Sequence, residues 1–160
     1  MLDQRIAITI PPTSRQRYLG GMAALNLPTP DGTGDWHIEQ TFFREREKRA
    51  RSFISGEGCP TDTIRLLGDR GVHDCTQVVD SLHIPHESPI VWAASHARAI
   101  ADLVLGAVMA GRSPAFVRLD DFMPRDTHKQ QVFDLLDIAT PKLTSDQQAA
   151  VLAWQKKNQI

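Results

Sequence analysis

The chain has 160 residues, 41% of them hydrophobic and 23% charged, with a formal net charge of −1. That balance excludes a disordered polar chain, and it excludes a global field that would draw the molecule onto nucleic acid or an anionic membrane. The length suits one domain with a core of its own, taken as residues 1–160.

Arg5 to Ile10 alternates, with Ile6, Ile8 and Ile10 on one face, and predicts a short strand stopped by Pro11-Pro12. Its apolar stretch is too short for a signal sequence. Met22–Leu27 is rich in small residues and assigns no element by pattern. Pro28 to His37 then crowds prolines, glycines, two carboxylates, an indole and an imidazole into one irregular segment. After it, Trp36, Ile38 and Phe42 share one parity and predict a second strand.

The second half has helical periods. Val72, Cys75, Val79 and Leu82 are spaced for a helix that stops before Pro85. Trp92–Ala110 predicts a long central helix, apolar almost all round, ended by Gly111. Ser95, Arg98 and Asp102 form its polar stripe, and the charges in this stretch exclude a membrane span. Asp126 is expected to cap a helix presenting Val132, Leu135, Leu136 and Ala139, ended by Pro141. Thr144 and Gln147 fit a capping box opening a last helix with Val151 and Trp154 inward. The class is therefore α+β: short N-terminal strands with a predominantly helical C-terminal half.

Several segments hold reactive side chains. Asp31, Asp35 and His37 can gather a divalent cation, or serve as acid, base and orienter. The competing account is structural: a tight Asp31-Gly32 turn, an Asp35 carboxylate on a backbone N–H, and Trp36 in the core. Arg44–Arg51 carries five basic and two acidic residues. Beside Phe42, Phe43 and Phe53 it suits phosphates and unpaired bases. As a helix it would instead neutralise itself through Glu45–Arg49 and Glu47–Arg51 pairs.

The remaining signals are slighter. Ser55–Thr63 is turn-rich but lacks a P-loop lysine. His73-Asp74-Cys75 places three reactive types in a row, with Asp74 suited to a helix start. His83 and His86 lack a third metal ligand. His96 reads as a satisfied core histidine, and Asp120 and Asp121 as open to a basic partner. Cys59 and Cys75 have no metal or redox spacing and read as cytoplasmic thiols. No metal or cofactor is expected.

Arg17-Tyr18-Leu19-Gly20-Gly21-Met22-Ala23-Ala24-Leu25-Asn26-Leu27, running into Thr33-Gly34-Asp35-Trp36-His37, resembles small bacterial proteins encoded beside nucleotidyltransferase toxins of the abortive-infection kind. The resemblance implies an antitoxin-side role, a cytosolic partner that binds and restrains a toxin. The winged-helix DNA-recognition module of the familiar antitoxins is not recognisable in this sequence. The expectation is thus an interaction protein using Asp31, Asp35, Trp36, His37, Arg44, Arg46 and Arg49, since aromatic and arginine residues dominate interface energies. One alternative is a small metal-assisted hydrolase or transferase with Asp31, Asp35 and His37 as catalytic groups and Arg44–Arg51 as a phosphate clamp. A second is an RNA- or DNA-binding module using the same basic run.

Overall fold

A computed structural model describes residues 5–35, 41–45 and 53–160. Six short strands and six α-helices are formed there, an α+β arrangement with most of its helix in the C-terminal half. The strands are β1 (Arg5–Ala7), β2 (Arg17–Leu19), β3 (Phe43–Glu45), β4 (Ile54–Gly56), β5 (Val72–Asp74) and β6 (Trp92–Ala94). The helices are α1 (Gly21–Leu25), α2 (Ile64–Leu67), α3 (Thr76–Ser81), α4 (His96–Met109), α5 (Asp126–Ala139) and α6 (Ser145–Lys157). Four strands form a sheet in the order β4-β2-β6-β5, while β1 and β3 pair separately. Within the larger sheet β2 runs antiparallel to β4 and parallel to β6, and β5 runs antiparallel to β6.

Local chemistry explains most element ends. Thr144 and Gln147 form the anticipated capping box, with Gln147 N–H on Thr144 Oγ1 at 3.3 Å and Thr144 N–H on Gln147 Oε1 at 3.0 Å. Gly111 takes φ +73° beyond α4, as the sequence suggested. There the Gly111 amide reaches Val108 O at 3.1 Å and the Arg112 amide reaches Ala107 O at 2.8 Å, which satisfies two carbonyls at the helix end.

Several sequence expectations need correction. Ile10 lies beyond β1 and instead makes a parallel bridge with His86. Met22–Leu27, to which the sequence pattern assigned no element, is largely helical, in α1. Of the second expected strand, Trp36–Gln40 lies outside the described residues, Thr41 and Phe42 are helical, and the strand comes later, at Phe43–Glu45. Glu45 is thereby placed in a strand, while Arg49, its expected helical partner, lies outside the described residues. Val72 belongs to β5, and the helix behind it is only α3. Trp92–Ala94 is a strand, because the sheet takes those residues before Ser95 caps α4. Asp126 is the first helical residue and not the cap, a position where a carboxylate still favours the positive helix end.

Helix α4 packs against α1, α5 and α6. Its Ile100, Val104 and Leu105 are wholly buried in the larger apolar cluster, which includes Leu66, Leu67, Val132, Leu136, Val151 and Trp154. Each such aliphatic side chain contributes about 1.5–3 kcal/mol on burial. A second cluster, with Ile10, Leu19, Leu27, Phe42, Val79 and Val91, lies elsewhere in the molecule.

Arg98 and Asp102 are also wholly buried, joined by an Arg98 Nε–Asp102 Oδ1 ion pair of 2.9 Å. Arg98 Nη1 donates to Gly68 O at 2.9 Å and Arg70 O at 2.6 Å, and Nη2 donates to Thr63 Oγ1 at 3.0 Å. Asp102 accepts from Thr63 Oγ1 at 2.5 Å and from the Tyr18 hydroxyl. Burial and the Asp102 charge push the Tyr18 phenol well above its usual range, so it stays a donor. Gly71 lets the chain pass this close. It has φ +74°, and a Cβ there would stand 2.9 Å from Arg98 Cβ.

Asp102→Asn breaks a buried pair and should cost about 3–5 kcal/mol. Tyr18→Phe removes one bond to a charged acceptor and should cost about 1.5–3 kcal/mol. Urea unfolding checks both the sizes and the order. At the periphery, His86 Nε2 meets Asp80 Oδ1 at 2.8 Å and Nδ1 meets Ser88 O at 2.6 Å. The hydrogen bond to Asp80, then that to Ser88, holds the imidazole above its ordinary 6.5. Its contribution is therefore full below 6.5 and lost as pH rises through the raised folded value. Thermal melts of His86→Gln should fall further below those of the parent at pH 5.5 than at pH 8.5.

Candidate functional site

The proline- and glycine-bounded loop follows α1 and is fixed from beneath by the first turn of α4. Asn26 ends α1, its Nδ2 donating to Met22 O and Thr41 Oγ1, each at 2.8 Å. Leu27 is buried, and its carbonyl faces His96 Nε2 at 2.8 Å. A carbonyl only accepts, so His96 Nε2 carries the proton and Nδ1 is left as an acceptor. Nδ1 takes the hydroxyl of the buried Thr33 at 2.5 Å. Burial lowers the His96 pKa, offset in part by the Leu27 carbonyl, so the ring is held neutral.

The backbone completes the seat. Gly34 N–H donates to Phe122 O at 2.9 Å, and Asp35 N–H donates to Leu25 O at 2.9 Å. Gly34 has φ +100°, and a Cβ there would meet the Leu25 carbonyl and lie 2.7 Å from His96 Cε1. Only glycine meets both the conformation and the space. Pro28, Pro30, Asp31 and Gly32 remain exposed on the outer side.

Beside the loop is a cleft of about 140 Å³ lined mainly by Leu27, Pro28, Pro30, Cys75, Val78 and Ala94, with His73, Asp74 and His96 also on its wall. A space of this order takes one small apolar group, comparable to a benzene-sized cavity. Asp74 and His96 on its wall are engaged in hydrogen bonds. Asp74 Oδ1 accepts from Thr76 N at 2.9 Å and Thr76 Oγ1 at 2.5 Å, and these bonds hold its carboxyl below the usual range. Asp74 thus opens α3, as its sequence position suggested. Burial, then the Asp74 charge, pushes the Cys75 thiol up to about 12, far from a reactive thiolate. His96 has both ring nitrogens in hydrogen bonds and cannot act as a base without breaking one.

The site residues drawn from sequence divide unevenly. Asp31 is exposed at the loop tip, and Asp35 is half-buried with its amide anchored. Arg44 lies in β3 opposite Ile6. Trp36, His37, Arg46 and Arg49 lie outside the described residues, as do the Glu47–Arg51 pair and the rest of the basic run after Glu45. Among the described residues no group of three or more His, Cys, Asp or Glu could hold a metal ion. Asp120 is paired with Lys129, and His86 with Asp80. The Ser55–Thr63 turn is tied by Asp62, which accepts from the Gly58 and Ile64 amides, each at 3.1 Å.

Sequence reasoning missed Thr33 as an anchor and gave His96 a core role without the loop above it. The signal lay in Gly34: a glycine flanked by polar residues, placed where a chain must touch a neighbour. No family model matches this sequence, and no curated protein or solved structure matches it.

Thr33→Val deletes the donor to a buried imidazole nitrogen and should cost about 1–3 kcal/mol. Limited proteolysis should show cleavage within 28–35 accelerating in this variant, with cutting elsewhere unchanged. The neutral His96 contributes fully above 6.5 and loses its contribution as pH falls through its lower folded value, so the loop should also open faster at pH 5 than at pH 7.

Proposed function

We propose that this chain is a cytoplasmic interaction protein that binds and restrains a partner protein through the 28–35 loop and the adjoining cleft. The observation that carries this reading is the division of labour in the loop. Thr33, Gly34 and the Asp35 amide face inward and are bound, whereas Pro28, Pro30 and Asp31 stand outward beside an apolar cleft. A loop fixed before binding loses little conformational entropy on association, and that gain goes into affinity. The exposed Asp31 carboxylate selects for a cationic residue on the partner, and the cleft for one small apolar side chain next to it.

The resemblance to antitoxin-side companions supplies the partner class, a nucleotidyltransferase toxin, and occlusion of its nucleotide or RNA cleft as the means of restraint. Trp36, His37, Arg44, Arg46 and Arg49 are assigned to partner contact on the sequence pattern alone. Enzymatic chemistry is the weaker reading, since the Cys75 thiol and the His96 imidazole at the cleft are held unreactive.

The test is co-expression with the nucleotidyltransferase encoded by the adjacent gene. A complex surviving size exclusion, together with rescue of growth, is the expected result. Asp31→Lys should weaken the complex at least about tenfold while its melting temperature stays at the parent value, about 1.4 kcal/mol of binding energy. A monomer that neither binds nor rescues overturns the reading.

A further inference from the structure

A larger groove lies at the opposite end of α4, away from the loop. It has a volume of about 520 Å³ and is walled by Val108 and Met109 of α4, by Pro114 and Ala115, and by Ala150, Ala153 and Trp154 of α6. That volume falls within the range of small-molecule sites, and the apolar walls are of the usual kind. The floor is rigid: Trp154 is buried, its indole N–H donates to Val117 O at 2.8 Å, and its ring meets Phe133 edge-on. The loop wall is set by the Gly111 turn and by Ser113, whose side chain accepts from the Ala115 amide at 3.2 Å.

Charge is distributed unequally around it. Arg112 and Lys157 both line the groove, and neither side chain makes a hydrogen bond or ion pair with another described residue. Asp146 is the one carboxylate on the lining, and it sits eleven residues before Lys157 on α6, roughly 16 Å along the helix axis. An anionic head is therefore favoured at the Lys157 end and repelled from the Asp146 end, while an apolar body has Ala150, Ala153 and Trp154 to lie on.

We propose that this groove binds a small amphiphilic anion, an aliphatic chain or ring bearing one carboxylate. Its polar head pairs with Lys157, and its apolar part covers the α6 face. This inference does not depend on the partner reading of the loop.

The probe is dodecanoate below its micellar concentration, with dodecanol as the uncharged control, titrated into the full chain by calorimetry and by NMR of the alanine methyls. Saturable binding that shifts Ala115, Ala150 and Ala153 is expected. Lys157→Glu should weaken dodecanoate at least about tenfold and leave dodecanol unchanged, because only the head contact is lost. Ala153→Phe, at an exposed helical position, should weaken both by filling the groove. No saturable binding, shifts confined to other methyls, or equal affinity in all variants overturns the proposal. So does binding of an acidic amphipathic helical peptide where dodecanoate fails.

Discussion

Arg98 places a guanidinium in the interior, where a lone charge would be intolerable, and the surrounding chain is arranged to hold it. It has four partners: Asp102 one turn on, the Thr63 hydroxyl ahead of α2, and the Gly68 and Arg70 carbonyls of the following turn. Tyr18 of β2 closes the other side of Asp102, and the guanidinium lies 5.3 Å from its ring. The sheet, the 63–71 connection and α4 are thereby fixed to one another by directional bonds. Apolar packing alone would allow them to slide, because it has no preferred direction. The ion pair is worth little as a net gain in energy, yet losing either half leaves an uncompensated charge. That asymmetry makes it a constraint on geometry more than a source of stability.

The same helix turn serves the loop. Ser95 caps α4 by accepting from the Arg98 amide at 3.1 Å, and His96, the next residue, reaches in the other direction to Leu27 and Thr33. Ser95 N–H in turn donates to Gly71 O at 2.6 Å. Four residues thus join the buried charge network to the seat of an exposed loop.

Helix α4 spans fourteen residues, roughly 21 Å, and has a different surface at each end. At its start are the anchored loop and a cleft sized for one side chain. At its finish is a groove several times larger, with cations on its lining. The buried middle of the helix keeps these two ends at a fixed separation. Among the described residues no helix is long and apolar enough to cross a membrane.

Much of the local structure was legible in the sequence, because its causes are local. The Thr144–Gln147 box, the Gly111 stop and the apolar face of α5 depend on residues within a turn or two of one another. Trp92–Ala94 was not legible: the residues suit a buried helix as well as a buried strand, and only pairing with Leu19, Val72 and Asp74 decides. The Ser95–Arg98–Asp102 stripe could be seen as polar residues on one face, but its partners Tyr18 and Thr63 lie 84 and 39 positions from Asp102. Thr33 likewise meets His96 across 63 positions. Composition and periodicity settled the α+β class, and left the Asp31–His37 segment open between a displaying loop and a structural turn. Which polar groups are consumed inside and which remain available was decided by the tertiary structure, since that depends on contacts between segments far apart along the chain.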